Sequence, residues 1–211
     1  MRSASVLLLL TGLAIVAAAT RADDGFARFT DQADIAGNVF VTDNCFPDNN
    51  TGFLNPSSAA ADTGGDGDGF EVNPTNAFAD GGTDPNYKAE NIAGEADRHR
   101  YYDYSFSIHS SCVIAGIEVR LDWWLSSTAG SPSIGVELSW DGGTSWTTAK
   151  TDTTATTTEH TAVLGSSSDG WGRTWTVSEL SNANFRARLT MNGAALDHFL
   201  DWVPVKVYYG P

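Results

Sequence analysis

Ile117-Glu118-Val119-Arg120-Leu121-Asp122-Trp123-Trp124 is the stretch that decides the fold. Ile117, Val119, Leu121 and Trp123 alternate with Glu118, Arg120, Asp122 and Trp124, and a period of two marks a strand with one face toward a core and one toward water. The rhythm recurs on both sides of it. Upstream, Arg98 to Ile108 sets Tyr102, Tyr104, Phe106 and Ile108 on one face against Tyr101, Asp103 and Ser105. Downstream come Ile134, Val136, Leu138 and Trp140, then Phe185, Ala187, Leu189 and Met191 against Arg186, Arg188 and Thr190. The last run sets Val203, Val205, Val207 and Tyr209 against Trp202, Pro204, Lys206 and Tyr208. Asp141-Gly142-Gly143 predicts a hairpin turn leading to a strand over Ser145 to Lys150, and the Thr-rich tract from Thr147 to Thr161 reads as strand and hairpin. Only Ser178 to Ser181 offers a helical turn. Short one-sided strands without helices to cover a parallel sheet predict an all-β, antiparallel, jelly-roll-like β-sandwich over residues 70–211.

Residues 1–22 have the layout of a secretory signal peptide: Arg2, an apolar run from Val6 to Ala19, then small residues. Cleavage after Ala19 or Ala22 fits the small-residue rule, and the mature chain is expected to start at Asp23. The apolar run is short for a membrane-crossing helix, so no membrane insertion is expected after cleavage. Residues 23–69 read as a loosely ordered, acidic, Gly-rich N-terminal arm, with one short strand expected over Asn38 to Thr42. Without Arg2 and Arg21 the chain keeps 10 basic against 26 acidic residues, a formal charge of −16. Such a polyanion lacks the Lys and Arg excess that a nucleic acid demands, so no nucleic-acid partner is expected. Cys45 and Cys112 are the only cysteines, and export favours a disulfide between them.

The segments Phe70 to Asp80, Arg98 to Tyr102, Ile117 to Asp122, Val136 to Trp146, Gly170 to Trp175, Leu180 to Arg188 and Leu200 to Tyr208 together resemble a β-sandwich module that recurs in uncharacterised bacterial secreted proteins. Trp140-Asp141-Gly142-Gly143-Thr144-Ser145-Trp146 and Trp171-Gly172-Arg173-Thr174-Trp175 are its most specific elements. The module has no assigned activity, so the resemblance implies export and fold and leaves function to the residues. Ile108 to Cys112 departs from the module's Pro-containing turn, which makes the Cys45 bridge particular to a subset.

Catalytic patterns are missing: the chain has no Gly-x-Ser-x-Gly elbow, no His-Glu-x-x-His and no phosphate-cradling Gly loop. Glu118 and Asp122 invite a glycoside hydrolase or lyase reading, but four residues apart on one strand their Cα atoms stand about 13 Å from each other. Glycosidase carboxyls are about 5 to 9.5 Å apart, and a solvated strand face flanking Arg120 explains both residues. His99, His109, His160 and His198 read as ordinary surface or turn residues. Asp62, Asp66, Asp68 and Glu71, and separately Asp80 and Asp84, are carboxylates among glycines that suit a structural calcium; an ordinary acidic linker has the same composition. The parity of the strands turns Tyr101, Asp103, Glu118, Arg120, Asp122, Trp124, Arg186, Arg188, Trp202 and Tyr208 outward. Flat rings beside hydrogen-bonding charges suit sugars, with the rings on the C–H faces and the charges on the hydroxyls, and they equally suit a protein interface. The expectation is a non-catalytic binding or adhesion module for a polysaccharide or a surface protein. The alternative is a structural, self-associating protein of the cell surface or extracellular matrix.

Overall fold

The structure, a computed structural model, describes residues 45, 49–63, 67–82, 84, 86–93, 96–193 and 195–211. The signal-like segment, the strand expected over Asn38 to Thr42 and Asp66 lie outside the described residues. Eleven strands are described: β1 (Asn49–Asn50), β2 (Ser58–Asp62), β3 (Ala89–Asn91), β4 (Arg98–Tyr102), β5 (Val113–Leu125), β6 (Ser133–Ser139), β7 (Lys150–Asp152), β8 (His160–Gly165), β9 (Arg186–Asn192), β10 (His198–Trp202) and β11 (Val205–Gly210). All their pairings are antiparallel, and the chain is an antiparallel β-sandwich of jelly-roll type.

The first sheet is organised by β5, whose 13 residues make it the longest of the strands. One of its edges carries β8; the other carries β11 along Val113 to Val119 and β10 along Asp122 to Leu125, with β1 and β3 beyond them. The second sheet runs β2-β4-β9-β6-β7. Between the sheets lie the odd-numbered side chains of β5, Ile117 to Leu125, with Ile134, Val136 and Leu138 of β6, Ala187, Leu189 and Met191 of β9, and Val205 and Val207 of β11, all buried. Apolar area removed from water on both inner faces is the main force holding the sheets together.

The arm expected to end at Gly69 already contributes strands. β2 pairs with β4 over five positions, Ser58↔Tyr102 through Asp62↔Arg98, because Ala59 to Ala61 offer a ladder of backbone groups that side-chain periodicity does not advertise. A disulfide joins Cys45 to Cys112, the residue before β5. In the chain-entropy view, closing a loop of that length stabilises the fold by about 4 kcal/mol.

Three local expectations are corrected. The strand from Arg98 ends at Tyr102, because Asp103 and Ser105 take positive φ of 62° and 56°. That reversal resets the alternation, so Tyr101 and Tyr104 both point inward, and Tyr101 is a core residue rather than an outward one. Residues 145–149 form no strand; the hairpin after Trp140 is a side-chain-bonded turn, with Asp141 Oδ1 accepting from the Thr144 and Ser145 amides at 3.1 and 2.8 Å. His99 and His198 are buried, 3% and 1% exposed. His198 is ringed by the carbonyls of Leu196 and Asn192, and the Phe70 amide donates to His99 Nδ1.

The two Trp motifs are built into the frame. Trp171 donates its indole N–H to the Ile117 carbonyl at 2.9 Å and Trp175 donates to the Gly170 carbonyl at 2.9 Å. Arg173 stacks over Trp140 and Trp175, its guanidinium carbon 3.9 and 4.5 Å from their ring centres.

Candidate functional site

The outer face of the first sheet collects Glu118, Arg120, Asp122 and Trp124 from β5. Trp124 lies opposite Phe199, and Trp202 lies opposite Asp122. A bulge between Leu200 and Trp202 makes this possible: the extra residue, Asp201, shifts parity by one so that Leu200 packs inside while both Phe199 and Trp202 face out. Lys206 and Tyr208 of β11 extend the face beside Glu118, and Phe53, ahead of β2, packs against Trp202 with ring centres 6.5 Å apart.

Each aromatic group on this face has a cation of the chain beside it. Lys88 Nζ stands 3.6 Å from the Phe199 ring centre and 5.9 Å from that of Trp124. The Arg120 guanidinium lies 4.5 Å from the Trp202 ring, and Lys206 Nζ lies 4.3 Å from Phe53 and 5.0 Å from Tyr208. Carboxylates fix these cations in turn. Arg120 grips Asp122 through two bonds of 3.0 and 2.7 Å, and Thr161 adds a hydroxyl donor at 2.6 Å. Lys206 pairs with Glu118 at 2.8 Å. Burial works against the Lys206 ammonium, but Glu118 and the Tyr208 hydroxyl outweigh it and hold its pKa above the usual lysine value. The Trp202 indole donates to Asn55 at 2.8 Å, which fixes the ring plane.

Beneath this face lies Asp201, fully buried in the bulge, with both carboxyl oxygens accepting from the Gly81 amide at 3.1 and 3.0 Å. Burial raises its pKa to about 7; the Gly81 amide opposes the shift, and the charges of Glu159, Asp80 and Asp122 add to it.

The structure therefore divides the expected ligand residues. Glu118, Arg120, Trp124, Trp202 and Tyr208 share the first sheet's outer face; Asp122, expected to be solvated there, is instead sealed beneath Arg120 and Thr161 and 1% exposed. Arg186 and Arg188 stand on the outer face of the second sheet, Asp103 sits at its rim accepting from Ser58 at 2.7 Å, and Tyr101 is in the core. Lys88, Phe199, Phe53 and Asn55 belong to the first face, and the sequence reading missed all four. An alternation of apolar and polar residues was the available signal, and the bulge breaks it at Phe199.

The acidic residues also separate. Asp68 and Glu71 come together with Asp97, a buried residue the sequence reading missed, with one ligand atom from each within 4.8 Å of the others. Glu71 also accepts from the Ile92 amide at 2.7 Å. Asp62 turns toward Arg188 and Arg100 on the second sheet. Asp80 accepts from the Gly82 amide and Asp84 from the Asn86 amide, so each closes its own turn.

Fold and site together define a two-sheet antiparallel β-sandwich with an aromatic face braced by ion pairs. No protein-family model and no curated protein matches the chain. Among solved structures it is similar to "Truncated AlyQ with CBM32 and alginate lyase domains" (13% identity, TM-score 0.41, 78% of this chain and 34% of that one). It is also similar to "CBM32 of AlyQ in complex with 4,5-unsaturated mannuronic acid" (12%, 0.40, 74% and 98%). A third is the Clostridium thermocellum endo-1,4-beta-D-xylanase 10B CBM22-1-GH10 modules complexed with xylohexaose (9%, 0.34, 79% and 28%). The chain spans about a third of the length of the first of these and nearly all of the second.

Proposed function

We propose that the protein is an exported, non-catalytic polysaccharide-binding module, and that the outer face of the first sheet is its binding surface. The observation that supports this reading is the row formed by Trp124, Phe199, Trp202, Phe53 and Tyr208, which are partly exposed, come from three strands, β5, β10 and β11, and the loop ahead of β2, and lie beside Lys88, Arg120 and Lys206. Rings offer flat apolar area to the C–H faces of pyranoses, and the charged groups between them offer directed hydrogen bonds to hydroxyls. Glu118 and Asp122, the two carboxylates of the β5 face, each hold a cation, and that arrangement suits binding better than acid–base chemistry. Export fits the disulfide, since such bridges persist in oxidising compartments.

The test is retention on insoluble and gel-cast neutral polysaccharides, with Trp124→Ala, Trp202→Ala and the double variant. At least a tenfold loss in the double variant, with an unchanged fold, is expected. Equal retention of wild type and double variant would remove the support.

We also propose calcium as the ion for Asp68, Glu71 and Asp97, whose hard oxygen donors suit it. A melting temperature that rises with calcium and falls back with chelator is expected, and Asp97→Asn should abolish the difference. A second reading, self-association, draws on the edge strand β8, where Val163 is 49% exposed. Sedimentation over a wide concentration range separates it from the first, because an edge-paired assembly grows with concentration.

A further inference from the structure

The row of rings on the outer face of the first sheet follows one strand. Phe199 lies opposite Trp124, Trp202 opposite Asp122, Lys206 opposite Glu118 and Tyr208 opposite Gly116, so the row keeps to the even-numbered positions of β5. At about 3.3 Å per residue, Gly116 and Trp124 stand about 26 Å apart. An extended polymer laid on these rings therefore runs parallel to β5. At the Tyr208 end it meets a cleft of about 600 Å³, a volume inside the ~300–1,000 Å³ range of small-ligand sites.

Two local features build the cleft. A bulge near the start of β5 opens its floor: Tyr208 pairs with Gly116 and Tyr209 with Ile114, which leaves Ala115 outside the ladder and exposed. The loop after β8 forms a wall. It settles onto β5 only because residue 116 is glycine, since a Cβ there would run into the carbonyls of Ser166 and Ser167. The Ile117 amide donates to the Asp169 carbonyl at 3.0 Å, the Trp171 amide donates to the Asp169 carboxylate at 2.8 Å, and Lys150 pairs with that carboxylate at 2.7 Å. A wall held at three points is formed before any ligand arrives, so binding there costs little ordering.

The lining decides what fits. Asn49, Ala115, Ser167, Ser168, Tyr208 and Tyr209 face the cleft, and no side chain that lines it is charged. Among the described residues, none bonds to the Ser167, Ser168 or Tyr209 hydroxyl. Lys206 and Glu118, next along the face, neutralise each other at 2.8 Å. Hydroxyls and an amide beside two rings suit a neutral sugar unit: the rings cover its C–H groups, and the hydroxyls exchange hydrogen bonds with its own. A lipid tail would leave those hydroxyls unpaired, and a phosphate or carboxylate would find no cationic side chain in the lining.

We propose that this cleft is a further subsite of the aromatic face, seating one neutral sugar unit of a polysaccharide whose chain runs along β5. The inference rests on the reading of that face as a polysaccharide surface, and adds to it the direction of the chain and the place where one unit is held.

The test uses glucan, xylan and mannan cast in gels, with titration calorimetry of the full chain against the trisaccharide and hexasaccharide of each. Two variants address the cleft alone: Ala115→Trp, which fills it, and Ser167→Ala with Ser168→Ala, which removes two exposed hydroxyls that hold nothing in the chain. Each should bind the glycan that wild type retains about fivefold more weakly or worse, the effect of losing one or two neutral hydrogen bonds. Wild type should gain affinity from trisaccharide to hexasaccharide, and Ala115→Trp should lose most of that gain, which a purely structural change would not produce. Should Ala115→Trp fail to fold, the serine pair decides. Trp124→Ala with Trp202→Ala reports on the face itself: if it loses retention while the folded cleft variants bind as wild type does, the cleft proposal falls and the reading of the face stands. Absence of retention by wild type would sink both, and cleft variants that alter only self-association would overturn the subsite.

Discussion

Replacing Asp201 with asparagine keeps the side chain's shape and an oxygen for the Gly81 amide, and removes one titrating proton from the bulge of β10. In the folded chain Asp201 titrates at about 7, against an ordinary 3.8. An acid whose folded pKa lies above its unfolded value still holds its proton in the native state after the unfolded chain has lost it. The native state then binds more protons, so this group's contribution to stability is whole below about pH 3.8, declines as pH rises, and is fully lost above about pH 7. The full span corresponds to roughly 4 kcal/mol, at about 1.4 kcal/mol per pH unit. His99 pulls the wild-type curve the other way: burial, aided by Arg100, lowers its imidazole to about 4, so it adds stability as pH rises from about 4 to about 6.5. Only the difference between variant and wild type isolates Asp201. Urea unfolding followed by tryptophan fluorescence, at intervals from pH 5 to pH 8.5, should show Asp201→Asn gaining about 1.4 kcal/mol per pH unit over wild type up to about pH 7. The gain should then level off, for a total of roughly 2–3 kcal/mol across that window. A difference that is flat with pH, or an asparagine variant less stable than wild type at pH 8, would refute the reasoning.

A Cβ added at Gly81 would collide with the Tyr87 ring and stand 2.7 Å from Asp201 Oδ1; Gly81→Ala should cost about 1–3 kcal/mol in the same urea assay, and a neutral result would mean that this loop is not seated on Asp201. Thr161→Val strips a donor from Asp122, 1% exposed, and should cost about 1–3 kcal/mol, with a loss below the error of the measurement counting against it. Cys45→Ser with Cys112→Ser should lower stability by about 4 kcal/mol in the chain-entropy view; unchanged unfolding midpoints would show that the bridge constrains neither state.

Period-two alternation in β5, β6, β9 and β11 suffices to read two sheets and a common core, because each of those strands keeps one parity from end to end. It fails wherever the backbone changes parity without a glycine or a proline to announce it. Asp103 and Ser105 adopt positive φ on non-glycine residues, so nothing in the composition separates Tyr101, in the core, from the outward position that a continuous strand would give it. The arm misleads for a different reason. Ala59 to Ala61 carry almost no periodic signal, and only the backbone donors and acceptors of β4 reveal that they complete a sheet edge.

The candidate site was half legible for the same reason. Trp124 and Trp202 are outward by parity on their own strands, and the structure sets both on one face. Phe199, three residues before Trp202, has the wrong parity to join it on a regular strand, and it does so only because Asp201 is inserted as an extra residue. The buried carboxyl that penalises stability near neutral pH is thus the residue the bulge sets aside, which lets three rings, Trp124, Phe199 and Trp202, share one surface. A cost of this kind at a bulge is expected where a binding surface has to be aimed. Asp201→Asn, which keeps the extra residue, should leave polysaccharide retention unchanged while stabilising the protein at pH 8. Deleting Asp201 leaves Phe199 and Trp202 two residues apart, on one face of a regular strand, so a folded deletion variant should retain polysaccharide as wild type does. If such a variant lost retention as strongly as Trp124→Ala, the bulge would do more than keep both rings on one face.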